Sequence, residues 1–207
     1  VYMKDIDLNF IQSGMQKVNT LFEKLVQRKK LSAVEKDEIM SKVSAGTTSD
    51  QLRDAEIIIE AAVERLDVKQ KILAELEEEL NGANNFIFAS NTSSIPISQI
   101  CEKAKNKQNV IGMHFFHPVH KMPLCEIIKT PYTSDVALEA VYKLALAMGK
   151  VPIVVRDGPG FLTTRMFAVY VMEAARIGLE GQYSVEHVDR LIVEFGMPMG
   201  PVCCCNK

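Results

Sequence analysis

The sequence EIIIE at residues 56–60 decides the fold class, because its three central residues form an unbroken apolar run. Successive side chains of a strand point to opposite faces, so such a run predicts a strand that is buried on both sides. Strands of this kind are typical of a parallel sheet that is covered by helices on both faces. We therefore expect a layered α/β domain around this strand.

On either side of this run, further apolar runs alternate with amphipathic stretches. The predicted strands cover residues 1–4, 57–59, 86–89, 110–115, 124–128 and 152–155. The predicted helices cover residues 8–30, a stretch that begins at 32, and residues 67–80, 97–103 and 134–148. Ser32 and Glu35 have the spacing of a capping box, which fixes the start of the second helix. The alternation predicts an α/β fold with a doubly wound, Rossmann-type sheet.

Beyond Gly160 the pattern is helical only, and the motif DGPGF at residues 157–161 marks the predicted domain boundary. We predict an α/β domain over residues 1–157 and the start of an all-α domain over residues 158–207. The chain begins at Val1 inside a predicted strand and ends in CCCNK. We therefore expect a fragment, in which the first strand of the sheet and a glycine-rich phosphate loop precede residue 1 and the helical domain is truncated.

Composition narrows the function classes. The 24 basic and 26 acidic residues give a formal net charge of -2, which does not favour binding to nucleic acid or to an anionic membrane. No apolar run approaches the ~20 residues of a membrane-spanning helix, so we expect no membrane insertion. The five cysteines include no pair of spaced CxxC motifs, which indicates a reducing compartment rather than a zinc cage.

Polar side chains follow several of the predicted strands. They are Asp5, Glu60, Glu64, Asn91, Thr92, Ser93, His114 and His117. Ligands of open α/β sheets bind beyond the carboxyl ends of the strands, so this clustering predicts a site there. A strand-end carboxylate such as Asp5 can accept hydrogen bonds from both ribose hydroxyls of an adenosine, which favours NAD over NADP. A surface turn is the alternative interpretation of Asp5.

The segment GMHFFHPVHKMPLCEIIK at residues 112–129 places a histidine at a strand end and a carboxylate in the following strand. His114 can accept a proton from an alcohol, and Glu126 on its other ring nitrogen would fix the tautomer and stabilise the imidazolium. The alternatives are a core histidine and a solvated glutamate. His117 and His120 invite a zinc interpretation, but no HExxH pattern supports it and we expect no metal.

Two isolated cysteines have apolar neighbours. Cys101 and Cys125 are therefore predicted to be core thiols rather than nucleophiles.

Three long motifs at matching separations carry a family resemblance. SNTSSIPISQI at 90–100, the segment at 112–129 and VRDGPGFLTTR at 155–165 together resemble the 3-hydroxyacyl-CoA dehydrogenase family. The resemblance covers nearly the whole chain and is strongest to the dehydrogenase part of multifunctional fatty-acid oxidation enzymes. It implies NAD-dependent oxidation of a (3S)-3-hydroxyacyl-CoA to the 3-ketoacyl-CoA. The domain at 1–157 would then bind NAD, and the domain at 158–207 would serve substrate binding and dimerisation.

The resemblance also implies roles for individual residues. His114 would be the general base, Glu126 would orient it, and Ser93 would complete the catalytic set. The implied cofactor contacts are Asp5, Ala62, Val63, Glu64, Lys69, Asn91, Ser93 and His117. The implied substrate contacts are Ser93 and Thr164. His117 and Thr164 stand where single-function members often have asparagine, so hydrogen bonding at these two positions is expected to differ in detail.

Partners follow from the same resemblance. An acyl-CoA is the expected substrate, and the parent protein is expected to be a homodimer or to form a complex with a thiolase subunit, with an enoyl-CoA hydratase part as a further expectation. A bacterial parent would be cytoplasmic, and a eukaryotic one mitochondrial or peroxisomal. The 207-residue chain alone is expected to be inactive. The rival hypotheses are a non-catalytic relative of the same fold and a dehydrogenase of short free hydroxy acids.

Overall fold

A computed structural model of the chain describes residues 1–80, 86–181 and 183–203. The strands are β1 (Tyr2–Lys4), β2 (Ser44–Gly46), β3 (Ile57–Glu60), β4 (Ile87–Ser90), β5 (Val110–Phe115), β6 (Leu124–Lys129) and β7 (Val151–Arg156). The helices are α1 (Leu8–Gln27), α2 (Ala33–Ser41), α3 (Leu66–Glu79), α4 (Ile97–Ile100), α5 (Asp135–Ala147), α6 (Thr163–Leu179) and α7 (Val185–Phe195). The predicted α/β class is confirmed.

The chain forms two compact units, Val1–Ile58 with Ala74–Phe86 and Ile59–Leu73 with Ile87–Lys207. In the first unit β1 and β2 pair in parallel, with Tyr2 opposite Ser44 and Lys4 opposite Gly46. The predicted capping box begins α2, since Ser32 N–H donates to Glu35 Oε2 at 2.8 Å and Glu35 N–H donates to Ser32 Oγ at 3.2 Å.

The strand β2 has no counterpart among the predicted strands. The strand consists of serine, alanine and glycine. It therefore lacks the β-branched and aromatic residues that mark strands in a sequence.

Five strands form a sheet in the order β3-β4-β5-β6-β7, and β4 to β7 lie wholly in the second unit. The pairs β4-β5 and β6-β7 are parallel, whereas β5 and β6 are antiparallel. The segment 116–123 joins β5 to β6 directly, and a parallel pair would need a crossover of about a dozen residues or more. The short connection therefore makes this pair antiparallel within an otherwise α/β pattern.

The core of the second unit lies around β4, β5 and β6. Residues of these strands and of α4 and α5 are 0–1% exposed, among them Phe88, Ile100, Ile111, Met113, Ile127, Ile128 and Val141. The predicted core thiols are confirmed, because Cys101 and Cys125 are fully buried and free. Burial raises the pKa of the Cys125 thiol to about 11, which disfavours the reactive thiolate.

The predicted helix at 97–103 is α4 followed by a turn of 3-10 helix at Cys101–Lys103. The second unit holds α6 and α7 together with the strands β4, β5, β6 and β7. The domain boundary between 157 and 158 therefore stays a prediction. Over the described residues, none of the helices combines the length and the apolar character that crossing a membrane requires.

Gly112 in β5 provides a test of the packing between the sheet and α4. A Cβ atom there would lie 2.7 Å from Ile128 Cδ1 and 2.9 Å from Ile97 Cδ1. We expect Gly112→Ala to lower the free energy of unfolding by about 1–3 kcal/mol, because neither isoleucine can move without disturbing the core. Chemical denaturation of the chain measures this, with Gly158→Ala as the control, since nothing lies within 4 Å of the Cβ added there. Equal stability of the two variants would contradict the packing.

Candidate active site

His114 and Glu126 face each other across β5 and β6. The antiparallel register makes them direct Cα partners, so their side chains leave the same face of the sheet side by side. His114 Nδ1 lies 2.7 Å from Glu126 Oε2. Glu126 is 0% exposed and His114 is 7% exposed. The interpretation of Glu126 as a solvated strand end is therefore wrong, and the predicted pairing of the two side chains is present.

The second oxygen of Glu126 is also occupied. Its Oε1 accepts hydrogen bonds from the backbone N–H groups of Leu162 at 3.2 Å and Thr163 at 2.9 Å. An ionised carboxylate only accepts hydrogen bonds, so the contact with Oε2 favours the tautomer of the neutral ring that has its proton on Nδ1. Nε2 is then the nitrogen that carries the lone pair, as a general base requires.

Two phenylalanine rings lie beside the imidazole. The ring centroid of His114 is 4.6 Å from that of Phe116 and 6.0 Å from that of Phe161. These apolar neighbours restrict the rotation of the imidazole and keep water from much of its surface. The hydrogen bond to Glu126 therefore acts in a medium of lower dielectric constant than water, where it is stronger.

Asn91 joins the loop that follows β4 to the neighbouring strands through two hydrogen bonds. Its Oδ1 accepts from Phe115 N–H at 2.9 Å, and its own N–H donates to Glu60 O at 2.7 Å. Ser93 is exposed in this loop, and its carbonyl oxygen accepts from the Thr164 hydroxyl at 3.5 Å. Asn91 thus ties the loop to the end of β5, next to His114, while Thr164 ties it to α6.

Glu64 binds the same loop from the other side. Its Oε1 accepts from the Thr92 hydroxyl at 2.6 Å and from the backbone N–H groups of Ser93 and Ser94 at 3.0 and 3.2 Å. Partial burial opposes ionisation, but the hydrogen bonds of the loop and the charge of Lys69 outweigh it. Together they lower the pKa of Glu64 from 4.5 to about 2.

Lys69 forms a buried ion pair with Glu60 and also contacts Glu64. The Lys69 side chain is 1% exposed, and its Nζ lies 2.9 Å from Glu60 Oε1 and 3.4 Å from Glu64 Oε2. Glu60 Oε2 accepts from the Ser90 hydroxyl at 2.6 Å, so both oxygens of this second carboxylate are satisfied. Lys69 was a predicted site residue, but its closest partner, Glu60, was not predicted. The one sequence feature that could have indicated this partner was the position of Glu60 at the end of a predicted strand.

The remaining predicted residues are Asp5, Ala62, Val63 and His117. Asp5 belongs to the first unit, where its Oδ1 accepts from the N–H of Ile6 at 2.7 Å. Ala62 and Val63 are exposed after β3, but the backbone of Ala62 contacts the Glu60–Lys69 pair. Its N–H donates to Glu60 Oε1 at 2.6 Å, and its carbonyl oxygen accepts from Lys69 Nζ at 3.4 Å. His117 is exposed after β5. Within 1–80, 86–181 and 183–203, no group of three potential metal ligands is found.

Glu64 gives the site a measurable pH signature. Its carboxylate stabilises the fold fully above about pH 4.5, its ordinary value, and this contribution is lost as the pH falls through about 2. We expect the free energy of unfolding to fall more steeply over this window in the unaltered chain than in Glu64→Gln, measured by denaturant titrations at each pH. Thr92→Ser keeps the hydroxyl donor and should keep the steep fall. Parallel curves for the chain and Glu64→Gln would contradict this.

Residues 1–158 match the family model described as 3-hydroxyacyl-CoA dehydrogenase, NAD binding domain, and NAD is therefore the cofactor of this region. Residues 160–206 match the model of the C-terminal domain of the same family. A curated relative named fatty acid oxidation complex subunit alpha, from Shewanella baltica, is 42% identical over 207 residues. The alignment covers 100% of this chain and 29% of the relative, so the chain spans less than a third of that protein's length.

Solved structures agree with these matches. The (S)-3-hydroxybutyryl-CoA dehydrogenase PaaH1 from Ralstonia eutropha has a TM-score of 0.89 and 36% identity, over 97% of this chain and 71% of that one. FadB2 from M. tuberculosis has a TM-score of 0.90 and 32% identity over the same shares. Since the model of the NAD binding domain alone covers more than half of the chain, the chain belongs to the 3-hydroxyacyl-CoA dehydrogenase family.

Proposed function

We propose that the complete protein oxidises a (3S)-3-hydroxyacyl-CoA to the 3-ketoacyl-CoA, with NAD as the oxidant and His114 as the general base. The observation that carries this proposal is the 2.7 Å contact between His114 Nδ1 and the buried carboxylate of Glu126. That contact leaves Nε2 as the basic nitrogen of the ring. A base at Nε2 is what the oxidation of an alcohol requires.

The proton and the electrons separate in this reaction. The hydroxyl proton of the substrate passes to His114 Nε2, and the electron pair left on oxygen forms the carbonyl as the hydride leaves C3. NAD, when bound, supplies the two-electron acceptor for this hydride. Glu126 offsets the positive charge that the imidazole gains, and the flanking rings of Phe116 and Phe161 strengthen this effect by limiting water.

The residues present fit a dinucleotide by their chemistry. Asp5 is a carboxylate directly after a parallel strand, where it can accept hydrogen bonds from ribose hydroxyls. The other proposed cofactor contacts are Ala62, Val63, Glu64, Asn91, Ser93 and His117. The Lys69 ammonium is buried against Glu60 and Glu64. We therefore assign it an indirect part, which is to hold Glu64.

Ser93 and Thr164 are the proposed substrate contacts. Ser93 offers an exposed hydroxyl on the loop that Asn91 ties to the end of β5, and Thr164 lies one residue beyond the amide that binds Glu126. The relatives' names support an acyl-CoA substrate, since PaaH1 is named for 3-hydroxybutyryl-CoA. The name fatty acid oxidation complex subunit alpha supports a multisubunit assembly, and we propose a thiolase subunit or a second copy as the partner.

The proposed base is tested by substitution in the complete protein. We expect His114→Ala to lower kcat by about 10²–10⁴-fold, because proton transfer loses its acceptor, while the affinity for NAD stays unchanged. The assay follows NADH absorbance with acetoacetyl-CoA, and calorimetry measures NAD binding. His120→Ala is the matched control, because His120 is an exposed histidine of the segment after β5 that carries no proposed role.

Three outcomes would contradict the proposal. The first is undiminished turnover in His114→Ala. The second is equal catalytic efficiency with free 3-hydroxybutyrate and with its CoA ester, which would favour a dehydrogenase of short hydroxy acids. The third is absence of any NADH signal from the unaltered complete protein, which would favour a non-catalytic relative. That the 207 residues alone are inactive stays a prediction.

A further inference from the structure

The turn between β7 and α6 has an unusual backbone. Gly160 has φ of +68° and Phe161 has φ of +49°. The left-handed region costs a residue with a side chain about 1–2 kcal/mol, so it persists only where the surroundings hold it. Phe161 is 2% exposed, and its ring lies beside the imidazole of His114. The burial of this ring anchors the turn next to the His114–Glu126 pair.

The turn aims the first N–H groups of α6 at Glu126. Leu162 N–H and Thr163 N–H both donate to Oε1, whereas Oε2 contacts His114. The first N–H groups of a helix have no partner within the helix, and their dipoles favour a carboxylate. The two oxygens of Glu126 are thus divided between the imidazole and the helix. Rotation of the carboxylate would break both sets of hydrogen bonds.

The same turn also contacts the loop after β4, which carries Thr92, Ser93 and Ser94. Gly160 N–H donates to Ser94 O at 3.4 Å, and the Thr164 hydroxyl donates to Ser93 O at 3.5 Å. Just before the turn, Asp157 accepts from the N–H groups of Ile97 and Ser98 at 2.8 and 2.9 Å. Residues 157–164 therefore contact both halves of the proposed site, namely the His114–Glu126 pair and the loop that carries Ser93.

We infer that the turn Gly160–Thr163 is a positioning element, whose backbone N–H groups orient Glu126 so that Glu126 fixes the Nδ1–H tautomer of His114. The donors lie in the region that matches the C-terminal domain of the family, and the carboxylate lies in the region that matches the NAD binding domain. Residues that match the C-terminal model thus set the protonation geometry of a base in the region that matches the NAD binding model. The effect on turnover rests on the proposed function, whereas the effect on the tautomer does not.

The tautomer can be observed without cofactor or substrate. In the chain with 15N-labelled histidine, long-range 1H–15N spectra of the neutral ring distinguish the protonated from the unprotonated nitrogen, and His114→Gln assigns the signals. We expect Nδ1 to be protonated in the unaltered chain. Gly160→Val should give a mixture of tautomers, because a β-branched residue disfavours the left-handed region and its Cβ would meet Thr164 at 3.3 Å.

Gly149→Val is the matched control. Gly149 has φ of +71° with nothing within 4 Å of an added Cβ, so it carries the same backbone strain away from Glu126. This variant should lose stability as Gly160→Val does but keep the single tautomer. An unchanged tautomer in a folded Gly160→Val, or the same mixture in both variants, would overturn the inference.

A second pair of variants decides the matter if Gly160→Val does not fold. Replacing Thr163 by its α-hydroxy acid turns the donating N–H into an ester oxygen and leaves every side chain in place. The same exchange at Met166 removes an ordinary helix hydrogen bond to Leu162 O and serves as the control. We expect mixed tautomers only for the ester at 163. A single Nδ1–H tautomer in that ester would overturn the inference.

Kinetics of the complete protein separate this inference from the proposed function. We expect the ester at 163 to lower kcat about tenfold, roughly the value of one hydrogen bond to a charged group, with KM unchanged. A shifted tautomer together with no hydride transfer in the unaltered protein would remove the function and leave the positioning intact. Normal hydride transfer in the unaltered protein, together with a tautomer that the ester does not alter, would leave the proposed function intact and contradict the positioning role.

Discussion

The hydrogen bond between His114 and Glu126 is the interaction on which the site depends, and the pairing of β5 with β6 creates it. The antiparallel register puts the two residues opposite each other, so the sheet itself sets their separation. A slip of one residue would turn one side chain to the other face of the sheet. Close packing around Gly112, where Ile97 and Ile128 leave no space for a larger residue, opposes such a slip.

Buried carboxylates are costly unless every oxygen has a partner, and two carboxylates here meet that condition in different ways. Glu126 uses one imidazole nitrogen and two backbone N–H groups. Glu60 uses the ammonium of Lys69 and the hydroxyl of Ser90. The first arrangement leaves the imidazole able to take up a proton. The second encloses the ammonium group of Lys69, which holds Glu64 in place. Glu64 in turn holds the loop of Thr92, Ser93 and Ser94.

Much of the fold could be predicted from the sequence, because apolar runs and caps are local signals. The run at 110–115 is β5, and Ser32 with Glu35 begins α2 as expected. At the candidate site, the sequence predicted the pairing of His114 with Glu126 but not the other contacts of either side chain. Donation by the N–H groups of α6 could not be foreseen, because every residue except proline carries this group. The link between Glu60 and Lys69 joins a strand to a helix, and no local pattern distinguishes it from two surface charges.

The most direct test of the central claim is a double-mutant cycle between His114 and Glu126 in the complete protein. If Glu126 acts only through His114, Glu126→Gln should lower kcat in the presence of His114 and have little further effect once His114 is alanine. The kcat of the double variant should then be close to that of His114→Ala. Additive losses, with the double variant slower by the full product of the two single effects, would show that Glu126 acts independently and would contradict the account.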